Sequence, residues 1–410
     1  MGRIAIDTTA LRQSAAFRRV FGAQLLSGMG SQVTAMALMY QIWQLTHSTL
    51  LVGLLGLVQV IPTVAFALVG GAIADAMDRR SLLLIVQVGM AACSAMLAML
   101  ALGTPPLWSL YALAAVAAAL HSVDGPARQA VIPMVVDDAT LRSAVQLREV
   151  LTQSGRVFGP LIGGALISTA SLAAAYAVDA ASFVIAFALF IKLPRLIPAE
   201  RRRFELSSIM ESVQYVRSQP VIAGTFIADL IAMILGMPRA VFPAVAAVLY
   251  DAGPALLGVL YAAPAAGALV GILVFGGLTN RIRREGAAVL IAICVWGGAI
   301  AAFGLTSSLW VGVSMLAIAG AADMVSAVFR QTILLDIVPD NMRGRMSAVH
   351  IMVVTGGPPL GDLEAGAAAT WLGLRASIVA GGLLCIAGVG AVAIGLPDLR
   401  RWTRPEPRSS

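Results

Sequence analysis

The chain is a succession of long apolar runs, each closed by a charged residue or by a cluster of glycine, proline and serine. Twelve such runs lie near residues 20–45, 50–74, 81–102, 107–131, 145–168, 171–193, 221–247, 253–279, 286–306, 309–334, 346–370 and 374–396. Each approaches or exceeds the length of about 20 residues that a helix needs to cross a hydrocarbon core of roughly 30 Å. Hydrocarbon offers no water to backbone N–H and C=O groups, so continuous runs of this length must satisfy them internally, as helices. The pattern predicts an all-α polytopic membrane protein with twelve transmembrane spans, numbered one to twelve below.

The polar breaks between the runs alternate in charge. Those at His47, Thr104, Ala170, Asp251 and Ser307 contain no Lys or Arg. The intervening ones carry Arg79 and Arg80, Arg142 and Arg148, the arginines of 194–220, Arg281, Arg283 and Arg284, Arg343 and Arg345, and finally Arg400 and Arg401. Only Arg375 falls on the other side. Basic loops stay in the cytoplasm, which places both termini there and makes residues 1–19 a short cytoplasmic leader rather than a cleaved signal.

Composition agrees with a chain that lives in lipid. Of 410 residues, 59% are hydrophobic and 12% charged, with mean hydropathy +0.89, so little chain remains for a soluble catalytic domain. A net charge of +7 raises the question of nucleic acid, but the arginines sit in short loops where they set topology and meet anionic headgroups. No nucleic-acid partner is expected. Cys93, Cys294 and Cys385 lie in separate apolar runs without paired spacing, so neither disulfide, metal site nor cofactor is expected. There is no nucleotide-binding loop and no Ser/His/Asp or Cys/His set, so the expected activity is not enzymatic. Arg in place of Lys, with abundant Ala and Gly, points to a GC-rich bacterial genome.

The longest break, 194–220, is also the most charged, and its 204–216 stretch has the pattern of an amphipathic helix on the membrane surface. It divides the chain into an N-terminal half (1–193, with the leader 1–19), a cytoplasmic linker (194–220), a C-terminal half (221–396) and a cytoplasmic tail (397–410). The halves repeat. Gly71, Asp75, Arg79 and Arg80 after span two match Gly276, Asn280 and Arg284 after span eight, 205 residues on from 71 to 276. Arg128 and Gln129 in span four match Arg330 and Gln331 in span ten, 202 residues on from 128 to 330. Parallel repeats with a binding site between them are a recurring transporter plan.

These residues resemble the major facilitator superfamily. Gly71, Ile73, Ala74, Asp75, Arg79 and Arg80 match the family's signature between spans two and three, while Ala76 and Asp78 replace a basic residue and a glycine. Gly155, Gly159, Pro160, Gly163 and Gly164 on span five match the fixed positions of the family's antiporter-type motif, which is associated with exporters. Phe17, Arg18 and Phe21, the run from His47 through Gly53, and Leu257, Gly258, Tyr261 and Ala262 are similar to the siderophore-exporter branch. The resemblance covers almost the whole chain. It implies proton-driven export of a small molecule across a bacterial inner membrane, by a protein taken here as a monomer. A broad multidrug efflux carrier of the same fold, or a membrane receptor or scaffold that transports nothing, are the alternatives.

Asp75 with Arg79 would, by the resemblance, latch the cytoplasmic side; the plainer reading is a loop charge that sets topology. Glycines on span five offer a face without side chains for close helix packing, and Pro160 removes a backbone bond there. Ionisable residues within spans are costly, so each is a candidate for proton or substrate coupling. Asp124 and Arg128 are one helical turn apart and can pair, with Glu149 and Arg156 on span five as other partners. Asp179 on span six, Asp229 and Arg239 on span seven, Asp323 on span ten, and Asp362 and Glu364 on span eleven complete the set. A proton-coupled carrier needs a carboxylate reached alternately from each side, and Asp323 is the first choice, then Asp229 and Asp362. Span one offers Gln24, Ser27, Ser31, Gln32, Thr34 and Gln41 but no acid. His121 is read as a packing residue rather than a relay. Trp43, Trp108, Trp310 and Trp371 have the placement of an interfacial aromatic belt.

Overall fold

The computed structural model describes residues 7–197, 211, 214–275, 282–339 and 342–404; within these, the side chains of 67–76, 343–345, 347, 348 and 351 are excluded. Every described element is helical. Twelve long helical segments follow the twelve apolar runs: Ala15–Thr46, Thr49–Ala76, Arg79–Leu100, Leu107–Val135, Asp138–Thr169, Leu172–Phe190, an interrupted span seven beginning at Pro220–Leu235, then Pro254–Phe275, Glu285–Leu305, Leu309–Ile337, Arg343–Leu372 and Leu374–Gly395. Nine of them are long and apolar enough to cross a membrane on composition alone. The other three, spans one, five and eleven, have the length but carry more polar residues, which is where inward-facing function would put them.

Span seven is broken. Its first helix stops at Leu235, Gly236 and Pro238 interrupt the ladder, and the chain resumes as a 3₁₀ turn at Arg239–Val241, a short α turn at Phe242–Ala244 and a π turn at Val245–Leu249. Proline cannot donate to the preceding turn, so carbonyls are freed there. The Gly236 carbonyl accepts from the Trp296 indole at 2.9 Å, supplying from span nine the donor that span seven lacks.

The chain forms two compact units, and neither is a simple half of the sequence. One comprises 1–45, 58–204 and 253–262; the other comprises 46–57, 205–252 and 263–410. In the first, Val20, Leu83, Val86, Val131, Phe183 and Phe190 form a shared core of spans one, three, four and six. Glycines in span five close it against two neighbours: a Cβ on Gly159 would stand 3.0 Å from the Met29 carbonyl oxygen, and one on Gly164 would stand 3.2 Å from Ala255 Cα at the start of span eight. In the second unit, Gly366 in span eleven packs on Gly53 in span two, 3.0 Å from a Cβ to Gly53 Cα, and the Thr49 hydroxyl donates to the Gly366 carbonyl at 3.0 Å. Small residues permit such approaches where lipid gives no hydrophobic drive to packing.

Repeat symmetry reaches fine detail. The turns after spans one and seven each hold one non-glycine residue in the left-handed region, His47 at φ 48° and Asp251 at φ 47°. At the start of span three, Asp78 accepts from the Leu196 N–H at 2.7 Å, tying down the segment after span six. At the start of span nine, Glu285 pairs with Arg404 at 2.8 Å, tying down the segment after span twelve. Burial opposes the ionised Asp78, but hydrogen bonds from the Leu196 N–H, the Ser81 hydroxyl and the Arg80 and Ser81 N–H groups outweigh it and hold the carboxyl below its ordinary range.

Arg375, the one basic residue on the wrong side of the charge pattern, turns out to be a cap. It reaches the last carbonyls of span nine, donating to Thr306 at 3.0 Å and to the Ser307 hydroxyl at 3.1 Å, where a cation complements the helix dipole. Trp108, Trp310 and Trp371 are exposed as belt residues should be; Trp43 is instead packed inside, 9% exposed. Residues 214–218 are helical, and the rest of the expected surface helix, 204–216, lies outside the described residues apart from Glu211.

Candidate functional site

Three polar nodes and one ion pair account for most of the acids within the spans. In the first unit, Asp124 and Arg128 pair along span four at 2.5 Å, as their spacing predicts. Their other partners come from elsewhere: Gln87 of span three donates to Asp124 at 3.2 Å and accepts from Arg128 at 3.2 Å, and the guanidinium lies 5.4 Å from the centre of the Phe190 ring. Glu149 and Arg156 do not join; both are exposed, and Glu149 accepts from Gln153 on its own helix at 3.3 Å.

Among the described residues Asp179 hydrogen-bonds to no cation. Thr34 of span one donates to it at 2.6 Å, Ser94 of span three at 2.7 Å and Ser182 of its own helix at 3.4 Å. The carboxyl is 1% exposed, and Gly30 leaves the room it occupies: a Cβ there would stand 3.2 Å from Asp179 Cα. Three hydroxyls around one carboxyl make a node in which a proton can be held without a counter-charge.

In the second unit the repeat partner of Arg128 does something different. Arg330 of span ten faces two carboxylates, Asp229 of span seven at 2.8 Å and Asp323 of its own helix at 3.8 Å, and donates to Ser326 at 3.1 Å. Asp229 is 1% exposed, while the Asp323 side chain is 46% exposed. His350 of span eleven stacks on Phe226, two half-turns from Asp229, with ring centres 6.0 Å apart. Arg239, released by the break in span seven, pairs with Asp362 at 2.8 Å. Glu364, two residues on, points to a different place, a narrow cleft shared with Pro238, Ile300 and Ser377.

The loop signature is only partly described. Gly276 and Asn280 lie outside the described residues, as do the surroundings of Gly71 and the Asp75 side chain, both in the last turns of the span-two helix. Arg79 donates to the Ala130 carbonyl at 2.8 Å and Arg80 to the Ile191 carbonyl at 2.6 Å, so both arginines bind helix ends of the first unit; Arg284 is exposed. On span five, Gly155 has ordinary contact with Gly28, 3.8 Å from a Cβ; Gly163 lies 3.4 Å from Val33, and the helix continues unbroken through Pro160. Gln87, Thr34, Ser94 and Arg330 are the members that sequence reasoning left unassigned as site residues. Arg330 was visible as the repeat mate of Arg128; the other three carry no charge to draw attention.

A bundle of long apolar helices with acids and arginines held at buried nodes defines a polytopic membrane transporter, and its relatives agree. Residues 7–405 match the transmembrane secretion effector family, and the chain belongs to this family of major facilitator transporters. It is 28% identical to the enterobactin exporter of Citrobacter koseri over 98% of this chain and 97% of that one. It is likewise 28% identical to the enterobactin exporter of Salmonella typhi, over 98% of each. Among solved structures it superposes on a bacterial homologue of the human lysosomal transporter Spinster, with TM-score 0.73, 17% identity and coverage of 95% and 98%. A nucleoside transporter gives TM-score 0.74 at 11% identity, covering 94% and 99%. At these identities the two structures establish the fold alone.

Proposed function

We propose that this protein exports a siderophore or a related amphipathic metabolite across a bacterial inner membrane in exchange for protons. It works as a monomer with both termini cytoplasmic, alternating access by rocking of its two repeats. Asp75 with Arg79 serves as the cytoplasmic latch and Gly155, Gly159, Pro160, Gly163 and Gly164 as the packed seam of span five. No covalent chemistry is assigned.

The arrangement around Arg330 carries this reading. One guanidinium faces two carboxylates. A single positive charge balances one of them, and the second is free to take up and release a proton as its surroundings change. Asp229 is the buried, tightly held member; Asp323 is half-exposed and more distant from the guanidinium.

In proteoliposomes with an imposed pH gradient, Asp323→Asn, Asp229→Asn and Asp362→Asn are expected to uncouple transport from the gradient. Full proton-driven activity in all three would sink the assignment. Cargo is tested by comparing the metabolites in medium from deletion and parent strains, with and without iron. A siderophore cargo predicts a compound missing from the deletion strain's medium under iron limitation. Unchanged metabolites with raised drug tolerance on overexpression would move the assignment to multidrug efflux, and failure to move any solute would move it to a receptor or scaffold.

A further inference from the structure

On its outer face the second unit carries a groove of about 480 Å³ between spans nine and twelve. Spans nine and twelve touch closely where Gly297 meets Gly382; a Cβ on Gly297 would stand 2.7 Å from the Gly382 carbonyl oxygen. From within one turn of that crossing towards Arg400 the helices leave a gap lined by Ile291, Cys294 and Val295 of span nine and by Gly390 and Ala393 of span twelve. A Cβ on Gly390 would meet nothing within 4 Å, so this glycine serves no helix contact and simply deepens the gap. Ile291 is 64% exposed.

The gap ends on a cation. Arg400, on the short helix Pro397–Arg401, is the single charged residue lining it among the described residues. Arg400 makes no ion pair among the described residues, and two more exposed cations flank the same helices, Arg284 just before span nine and Arg401 next to Arg400. The buried acid there, Glu285, is already neutralised by Arg404 at 2.8 Å; among the described residues the other acids at this end are Asp398, exposed on the same short helix as Arg400, and Asp336, exposed at the end of span ten, which leaves Arg284, Arg400 and Arg401 in excess. The rim is therefore net positive.

In a bilayer an apolar gap on a helix face is filled by hydrocarbon, and a cation at the end of it selects what that hydrocarbon is attached to. We propose that this groove is a binding site for one anionic phospholipid, an acyl chain lying between spans nine and twelve and its phosphate on Arg400. The site is separate from the acids assigned to coupling.

The test is a titration of purified protein in detergent with palmitoyl-oleoyl phosphatidylglycerol or with phosphatidylethanolamine of the same chains, read by native mass spectrometry. Wild type is expected to hold its first phosphatidylglycerol more tightly than phosphatidylethanolamine. Arg400→Gln is expected to weaken phosphatidylglycerol about fivefold, the effect of one surface arginine on an anionic lipid, and to leave phosphatidylethanolamine unchanged. Gly390→Leu, which fills the gap, should weaken both; Ala393→Phe repeats the test if that variant yields no folded monomer. Equal retention of the two lipids by wild type would overturn the proposal, as would unchanged phosphatidylglycerol binding by Arg400→Gln. An equal loss in Arg401→Gln would also overturn it, by showing diffuse surface charge rather than a site.

Discussion

Asp229 is buried to 1% exposure, and Arg330 at 2.8 Å is what makes that tolerable. Removing one partner of such a pair leaves an uncompensated charge in a medium that solvates it poorly. Arg330→Ala is therefore expected to cost about 3–5 kcal/mol of stability, and Arg330→Ala with Asp229→Leu much less, in thermal unfolding of the purified variants. Asp323→Asn should change stability little, because that side chain is 46% exposed and 3.8 Å from the guanidinium. Asp78 allows a pH test outside the spans. Its carboxyl is held below the ordinary range in the fold, so the unfolded chain takes up a proton first as pH falls. Its stabilising contribution is thus full above about pH 4 and disappears as pH drops through the lower folded value. Thermal unfolding of wild type against Asp78→Asn should show a gap at neutral pH that closes only in acid; a gap independent of pH would exclude the charge as its cause. The Asp124–Arg128 pair was legible because both residues lie on one helix at a one-turn spacing. Gln87 was not, since a contact between spans three and four depends on helix rotation, which an all-round apolar pattern does not encode.

Helices here are held together by what their glycines omit. A Cβ on Gly320 of span ten would lie 2.7 Å from Pro264 Cα of span eight, closer than any real side chain approaches, whereas one on Gly298 of span nine would meet nothing within 4 Å. Gly320→Ala is expected to lower the unfolding temperature sharply, and Gly298→Ala to leave it unchanged or raise it slightly, since alanine is the better helix former by up to about 1 kcal/mol. Comparable shifts in the two variants would rule out close approach as the reason for the glycine at 320. At this scale the sequence is at its most readable, because lipid demands continuous apolar runs, and the structural segments start and stop within a few residues of those runs, span five excepted, whose helix begins earlier, at Asp138. The break in span seven is the exception. Gly236 and Pro238 are visible in the chain, but the runs on either side are apolar, and the bond that repairs the break comes from Trp296, sixty positions away on another helix.

For the molecule as a whole, each unit is closed by an acid at the start of a third helix that grips the segment following a sixth. Asp78 holds Leu196, and Glu285, 207 positions after 78, holds Arg404. In the second unit this grip is backed by packing: Leu399 is fully buried against Gly224 of span seven, 2.9 Å from where its Cβ would be, and Arg404 N–H donates to the Arg283 carbonyl at 3.0 Å. Deleting residues 397–410 should thus destabilise the second unit far more than the exposed character of its arginines suggests, visible as a lower yield of folded, monodisperse protein; an unaltered elution profile and unfolding temperature would show the tail to be dispensable. Synthesis runs from the N-terminus, so Glu285 emerges with its cation still to be made, and translation at roughly 5–20 residues per second leaves it waiting on the order of ten seconds. During that interval a carboxylate destined for burial stands at the mouth of a helix without the arginine that holds it in the finished fold. Maturation of this unit is then paced by the ribosome rather than by the search for contacts.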